Sequence, residues 1–279
     1  MENIEIQGYR STHIMSAGFK WWNYLENDFL NHNPHVAAAV LSVGALAVVS
    51  TVYKRSVAKA AAGGDGDAQY IPSSKVSVSN LVEVFAEFVQ SNANEIIGHK
   101  AKTYMPLLFW LFFYVLFSNL LGMIPGLGSS TDNINTTFGI GVLVFFFYNF
   151  EGFRANGFRY LEQYTGHLTG WLLLGLGWLL FLIEGISHLF RPLTLGIRLR
   201  TNIYADHQVY GVISGLTQSA IEPLQAKYGA VGEWIGLLMS SLIPIPIIIL
   251  GLLVAMIQAT VFTFLTMIYI GFATAHEEH

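Results

Sequence analysis

The residues best equipped for chemistry in this chain are charges set inside a lipophilic stretch. Between Leu168 and Ser219 lie Glu184, Arg191, Arg198, Arg200 and Asp206, with His188 and His207. An ionisable group at mid-bilayer costs about 2.5 to 3.5 kcal/mol on insertion scales, so such groups face a partner or a water-filled cavity. Their concentration in one stretch points to a path for protons or ions. A cation held between two polar pockets, each open to a different side, would pass protons to a moving carboxylate while blocking direct leakage. Arginine suits that part because it stays protonated when desolvated, whereas lysine sheds its charge.

Helical spacing groups Arg198 with Thr194 and Asn202, four residues to either side on one face. Those neutral groups can orient the guanidinium without discharging it, and Arg200 points elsewhere. Gln258, inside the uncharged final run, is the best candidate to meet Arg198 from a neighbouring helix. Other polar residues have plainer readings beside the functional one. Arg191, just before Pro192, fits a snorkelling or helix-end anchor. Glu184 can pair with His188 one turn on, and Asp132 can cap a helix ahead of Asn135-Thr136-Thr137.

The elements that must hold these groups belong in a membrane. Of 279 residues, 53% are hydrophobic and 11% charged, with mean hydropathy +0.49, against about 25% charged in soluble domains. A formal net charge of −4 offers no basic face to nucleic acid. The lack of cysteine excludes thiolate metal sites, disulfides and thiol redox chemistry. The acidic start, Met1-Glu2-Asn3-Ile4-Glu5, has neither the order of a secretory signal nor the bias of a transit peptide. A multi-pass protein of a bacterial inner membrane is expected.

Along the chain, residues 1–35 read as an outer or interfacial segment carrying Trp21, Trp22 and Tyr24. Residues 36–53 are a first span, and Lys54, Arg55 and Lys59 put its end in the cytoplasm. A cytoplasmic linker over 54–75 contains the glycine-rich run 61–67, and an amphipathic surface helix follows over 76–98, with Asn80 and Glu83 spaced as a capping box. A helical hairpin covers 103–150, its turn signalled by Ile124-Pro125-Gly126-Leu127-Gly128 and Ser129-Ser130-Thr131. Arg154 and Arg159 return the chain to the side of Lys100 and Lys102. Residues 168–275 form long helices joined by a polar outer loop with Glu222, Lys227 and Glu233. Residues 234–276 contain no Asp, Glu, Lys or Arg; as one helix they would reach about 60 Å, twice the hydrocarbon thickness, so the run tilts or bends, and Pro244 and Pro246 are the sites for a bend.

The stretch Arg191-Pro-Leu-Thr-Leu-Gly-Ile-Arg-Leu-Arg-Thr-Asn-Ile-Tyr-Ala-Asp-His207 resembles the signature helix of the ATP synthase subunit a family. Leu182-Ile-Glu-Gly-Ile-Ser187, Asn119-Leu-Leu-Gly-Met-Ile-Pro125, Asp132-Asn-Ile-Asn-Thr-Thr137 and the run from Ile257 to Ile270 resemble further family motifs in the right order, so the likeness covers about residues 36 to 279. It implies an all-α integral membrane protein of about five to six membrane helices, two of them long, tilted and paired as a hairpin against a rotor ring. It implies a proton-channel stator that does no catalysis alone and needs neither cofactor nor metal. Its partners would be the subunit c ring, the subunit b peripheral stalk, other ATP synthase subunits and membrane lipid.

By the same resemblance Arg198 is the essential stator arginine, Gln258 its companion, and Asn202 and Thr194 its support. Glu184 and Ser187 would line the cytoplasmic half-channel. His207, with Asn133 or Asp132, would belong to the outer one, and Asp206 joins the proton pathway. The chain departs from the family pattern at Arg200-Thr201, where Phe-Gly or a similar pair is common, at Asp132-Asn133, where Asn-Asp is familiar, and at Gly251, often polar in relatives. Two rivals carry their own signatures. A free-standing ion or solute transporter would favour inverted repeats, and none is visible. A haem or quinone protein would need facing histidine pairs, which His167, His188 and His207 do not make.

Overall fold

The computed structural model describes residues 33–62, 78–124, 129–160 and 177–275. Among them there is no strand; the elements are α1 (Pro34–Ala62), α2 (Val78–Ile96), α3 (Ala101–Gly122), α4 (Ile134–Asn156), α5 (Trp178–Tyr228), α6 (Ala230–Leu242) and α7 (Pro244–Thr274), with 3-10 turns at Gly98–Lys100 and Ser130–Asp132. Among the described residues five stretches are long and apolar enough to cross a membrane: His35–Ala58, Gly98–Gly122, Ile134–Tyr160, Trp178–Tyr228 and Ala230–Thr274. In lipid only a helix satisfies its own backbone groups without a closed sheet, which is why the described apolar stretches are helical. The fold is an all-α integral membrane protein.

The core lies where α3, α4, α7 and the middle of α5 meet, around Leu108, Leu111, Phe112, Val144, Tyr148, Leu199, Phe262, Met267 and Ile270. Hydroxyls buried along α7 turn back on their own helix: Thr263, Thr266 and Thr274 donate to the carbonyls of Ala259, Phe262 and Ile270. One end of the bundle is basic. There Lys100 Nζ donates to the Thr274 carbonyl (3.2 Å) and Asn156 Nδ2 to the Ala273 carbonyl (3.0 Å), bringing together the start of α3 and the ends of α4 and α7. Both ends of α2 sit at that level, Ser79 against Ser56 of α1 (3.3 Å) and the Ile96 carbonyl beside Gly271. The opposite end carries the Ser130–Asp132 turn, which joins α3 to α4.

Several sequence expectations shift. The helix α1 continues through Lys54, Arg55 and Lys59 to Ala62, because alanine-rich chain has no reason to unwind before the glycines begin; 63–75 of the expected linker lies outside the described residues. Asn80 stands inside the first turn of α2 rather than before it. Glu222 and Lys227 form the last turns of α5 and Glu233 the first of α6, so no polar loop intervenes. Only Gly229, at φ +51, breaks the chain there; Pro223 removes one amide hydrogen without ending the helix. The final run is divided at Ile243, between Leu242 and Pro244, with the proline in the first turn of α7, where its missing N–H is not needed. Trp21, Trp22, Tyr24, the 125–128 turn, His167 and the terminal 276–279 lie outside the described residues.

Candidate functional site

The helix α5 carries most of the candidate residues, and its 51 residues span about 75 Å, more than two bilayer cores. Its buried face is Pro192, Leu195, Gly196, Leu199 and Ile203. Two glycines let it lie backbone to backbone against α4. A methyl on Gly196 would come within 3.1 Å of the Phe138 Cα, and one on Gly141 would meet the Pro192 carbonyl oxygen at 2.5 Å. These contacts run α5 antiparallel to α4, from the basic end toward the Ser130–Asp132 turn. At 100° per residue, Glu184, Ser187, Arg191, Thr194, Arg198 and Asn202 fall within an arc of about 80° beside the buried face.

Along that arc the side chains have different company. Toward the basic end, Arg191 Nη2 donates to Glu184 Oε1 at 3.2 Å, and the guanidinium lies 5.0 Å from the centre of the Tyr269 ring on α7. His188 Nε2 is 3.5 Å from Arg191 Nη1 and its Nδ1 is 3.2 Å from the Tyr148 hydroxyl of α4. The Tyr148 ring stacks on His188 and touches Tyr269. Arg191 is therefore tied inward to three helices and is no snorkelling anchor. The expected Glu184–His188 pair is replaced by a Glu184–Arg191 pair, since a full cation binds a carboxylate more strongly than an imidazole does.

Two turns further on, Arg198 stands on the exposed side of the chain, and among the described residues its guanidinium has no hydrogen-bond or ion-pair partner. Thr194 is exposed too, and its hydroxyl donates back to the Arg191 carbonyl (2.9 Å) rather than to Arg198. Asn202 and Asp206 are half-buried; Ser187 and His207 are exposed. On α7, the amide oxygen of Gln258 is buried without a donor. No hydrogen bond joins it to Arg198, contrary to the expected meeting. The register still brings the two to one stretch of the α5–α7 contact. Starting from the Arg191–Tyr269 contact, Arg198 lies seven residues outward and Gln258 eleven, about 10 and 16 Å along two antiparallel helices.

At the turn end, Asn133 caps α4, its side chain accepting from the Asn135 amide at 2.9 Å, so the cap is Asn133 and not Asp132. Its Nδ2 lies 3.2 Å from His35 Nδ1 of α1. The Asp132 side chain is exposed and its carbonyl accepts from Arg200 Nε at 3.3 Å. His207 forms no hydrogen bond or ion pair with Asp132 or Asn133 among the described residues.

Sequence reasoning missed a buried polar cluster beneath this turn. Ser129 Oγ donates to the Ser118 carbonyl (2.9 Å) and meets Thr131 Oγ1 (2.6 Å); Thr131 Oγ1 donates to Asn119 Oδ1 (2.8 Å). Ser130 bridges Ser118 and the Tyr114 hydroxyl. The Ser-Ser-Thr run had looked only like loop punctuation; the polar Ser118-Asn119 pair inside an apolar helix was the available signal.

The comparisons agree with this geometry. A sequence model of the ATP synthase A chain family matches residues 37–271. A protein of Bdellovibrio bacteriovorus named ATP synthase subunit a is 39% identical over 87% of this chain and 94% of its own length. Bearers of the same name from a Sulfurihydrogenibium species (35% identical, 72% of this chain, 84% of the relative) and Geobacter sulfurreducens (36%, 69% and 72%) are similar as well. With five apolar spans among the described residues, a 51-residue helix bearing an arginine that none of those residues pairs, and a family match across most of its length, the chain belongs to the ATP synthase A chain family.

Proposed function

We infer that this chain is the proton-channel stator of the membrane sector of an ATP synthase, with Arg198 as the fixed charge that separates two half-channels. The observation that carries the assignment to Arg198 is its solitude: a guanidinium on an apolar helix, facing outward, with no acceptor among the described residues. A permanent cation in that setting requires an anion from outside the chain. A carboxylate on a turning ring of subunit c helices is such an anion, and only its protonated form can face lipid. The orphan oxygen of Gln258, not bonded to Arg198 in this structure, supplies a neutral acceptor in the same stretch of the α5–α7 contact, one that would leave the charge of a guanidinium intact.

Protons enter from the outer side through the polar groups at His207, Asp206, Asn133 and Asp132 and protonate a ring carboxylate. The neutral carboxylate then travels through lipid for most of a turn. On meeting Arg198 it ionises, and its proton leaves past Glu184 and Ser187 toward the basic, cytoplasmic end. Thr194 and Asn202 keep the approach to Arg198 polar without adding charge. The Glu184 side chain is 42% exposed even while held by Arg191, which leaves one side of its carboxylate open for that exit. Each proton crossing 100 mV contributes about 2.3 kcal/mol, and rotation takes its direction from the offset of the two paths. The stator stays still by docking to the subunit b stalk and other ATP synthase subunits, in the inner membrane of a bacterium. A component of the complex, it makes no ATP alone.

Replacing Arg198 with Ala should abolish proton-driven ATP synthesis in inverted membrane vesicles while the complex still assembles. Coupled synthesis by the variant would refute the assignment.

A further inference from the structure

The third arginine of the signature stretch, Arg200, is unused by this mechanism. Arg200 follows Arg198 by two residues, which puts it about 160° round the axis of α5, away from the arc that carries Glu184, Arg191 and Arg198. It occupies the position where the resemblance led us to expect an aromatic residue, and its Nε donates to the Asp132 carbonyl at 3.3 Å. That carbonyl belongs to the turn that starts α4 and is itself anchored: Asn133 caps α4 and reaches His35 on α1, while Ser129, Ser130 and Thr131 are locked onto α3. A close backbone contact between α4 and α5, Gly196 against Phe138 and Thr137, lies one turn before Arg200. Beyond it α5 runs on for 28 residues to Tyr228, with Thr217 and Ile221 buried near its far end.

We propose that Arg200 is a positioning residue. Its hydrogen bond to the Asp132 carbonyl clamps α5 to the Ser130–Asp132 turn, and so sets the height and rotation at which Arg198 faces the ring. Gly196 fixes how closely the helices approach, but a smooth glycine contact resists sliding and rotation poorly. A directional bond one turn later supplies that resistance. The titratable and charged groups around the clamp are Asp132 of the turn, His35 of α1 and Asp206 and His207 of α5 itself; the clamp uses a backbone carbonyl and none of these. It works through a donor and not through charge.

This rests on the proton-channel reading, and the test separates the two. Passive proton conduction is measured in membrane vesicles stripped of the soluble ATPase, for the parent complex and for Arg200→Gln, Arg200→Lys and Arg200→Met. Gln and Lys keep a donor within reach of the carbonyl, Gln without charge; Met keeps apolar length and no donor. The expected result is conduction within about two-fold of the parent for Gln and Lys, and a loss of five-fold or more for Met. If Met does not accumulate in membranes, normal accumulation and conduction by Gln still support the clamp. Met conducting like the parent, or Gln failing together with Met, overturns it. A parent complex that conducts no protons would sink the channel reading instead.

Discussion

Arg191 and Arg198 sit two turns apart on one face of one helix, and their surroundings are opposite. Arg191 has a carboxylate at 3.2 Å, an aromatic face at 5.0 Å and an imidazole nearby, all from this chain. Among the described residues Arg198 has none of these. A charge satisfied internally gains nothing by meeting a moving partner, and it serves as a tether between α5, α4 and α7. A charge left unsatisfied on an apolar surface is held in reserve for a partner. Residue type alone does not separate the two roles; the neighbours do.

The comparison can be broken at its frame or at its tether. The largest effect is expected from Gly196→Leu. A side chain there must enter the Phe138 and Thr137 backbone, which cannot yield as a flexible side chain could. Overpacking of this kind costs about 1 to 3 kcal/mol or more, and it would push both arginines off α4 together. We expect little assembled complex on native gels, whereas normal assembly would show that the α4–α5 contact does not set the face. A smaller effect is expected from Arg191→Met. It removes the ion pair and a cation–π contact worth about 0.5 to 2 kcal/mol, so the complex should melt a few degrees lower while ATP synthesis stays within a few-fold of the parent. Loss of coupling as complete as in Arg198→Ala would erase the distinction between the two arginines.

Much of this was legible beforehand, for reasons the physics makes plain. Runs such as 234–276 without a charge announce membrane helices, and Pro244 marks where one helix gives way to the next, because lipid and a missing amide leave few choices. The α5–α6 turn was misplaced because a single Gly229 suffices to reverse direction where Glu222, Lys227 and Glu233 suggested a loop. What Arg191 and Arg200 touch was illegible, since Tyr269 and Asp132 come from distant chain and only packing brings them near. Helical spacing grouped Thr194 with Arg198 correctly as to face, yet a threonine in a helix also has its own carbonyls within reach, and Thr194 bonds to Arg191. The Ser118 to Thr131 network was hidden for the same reason: a buried polar cluster is recognised by mutual satisfaction, and a linear sequence does not display it.

The central claim is that the Arg198 face of α5 meets the carboxylate-bearing helix of the ring. Thr194 lies on that face and is exposed, whereas Phe146, 66% exposed on α4, points away from the α5 contact. Cysteine replacing Thr194, paired with a cysteine one turn from the ring carboxylate, should form a disulfide under mild oxidation in native membranes and stop ATP-driven proton pumping. Cysteine replacing Phe146 should form none. Absence of the Thr194 product, or an equal yield from Phe146, would contradict the account.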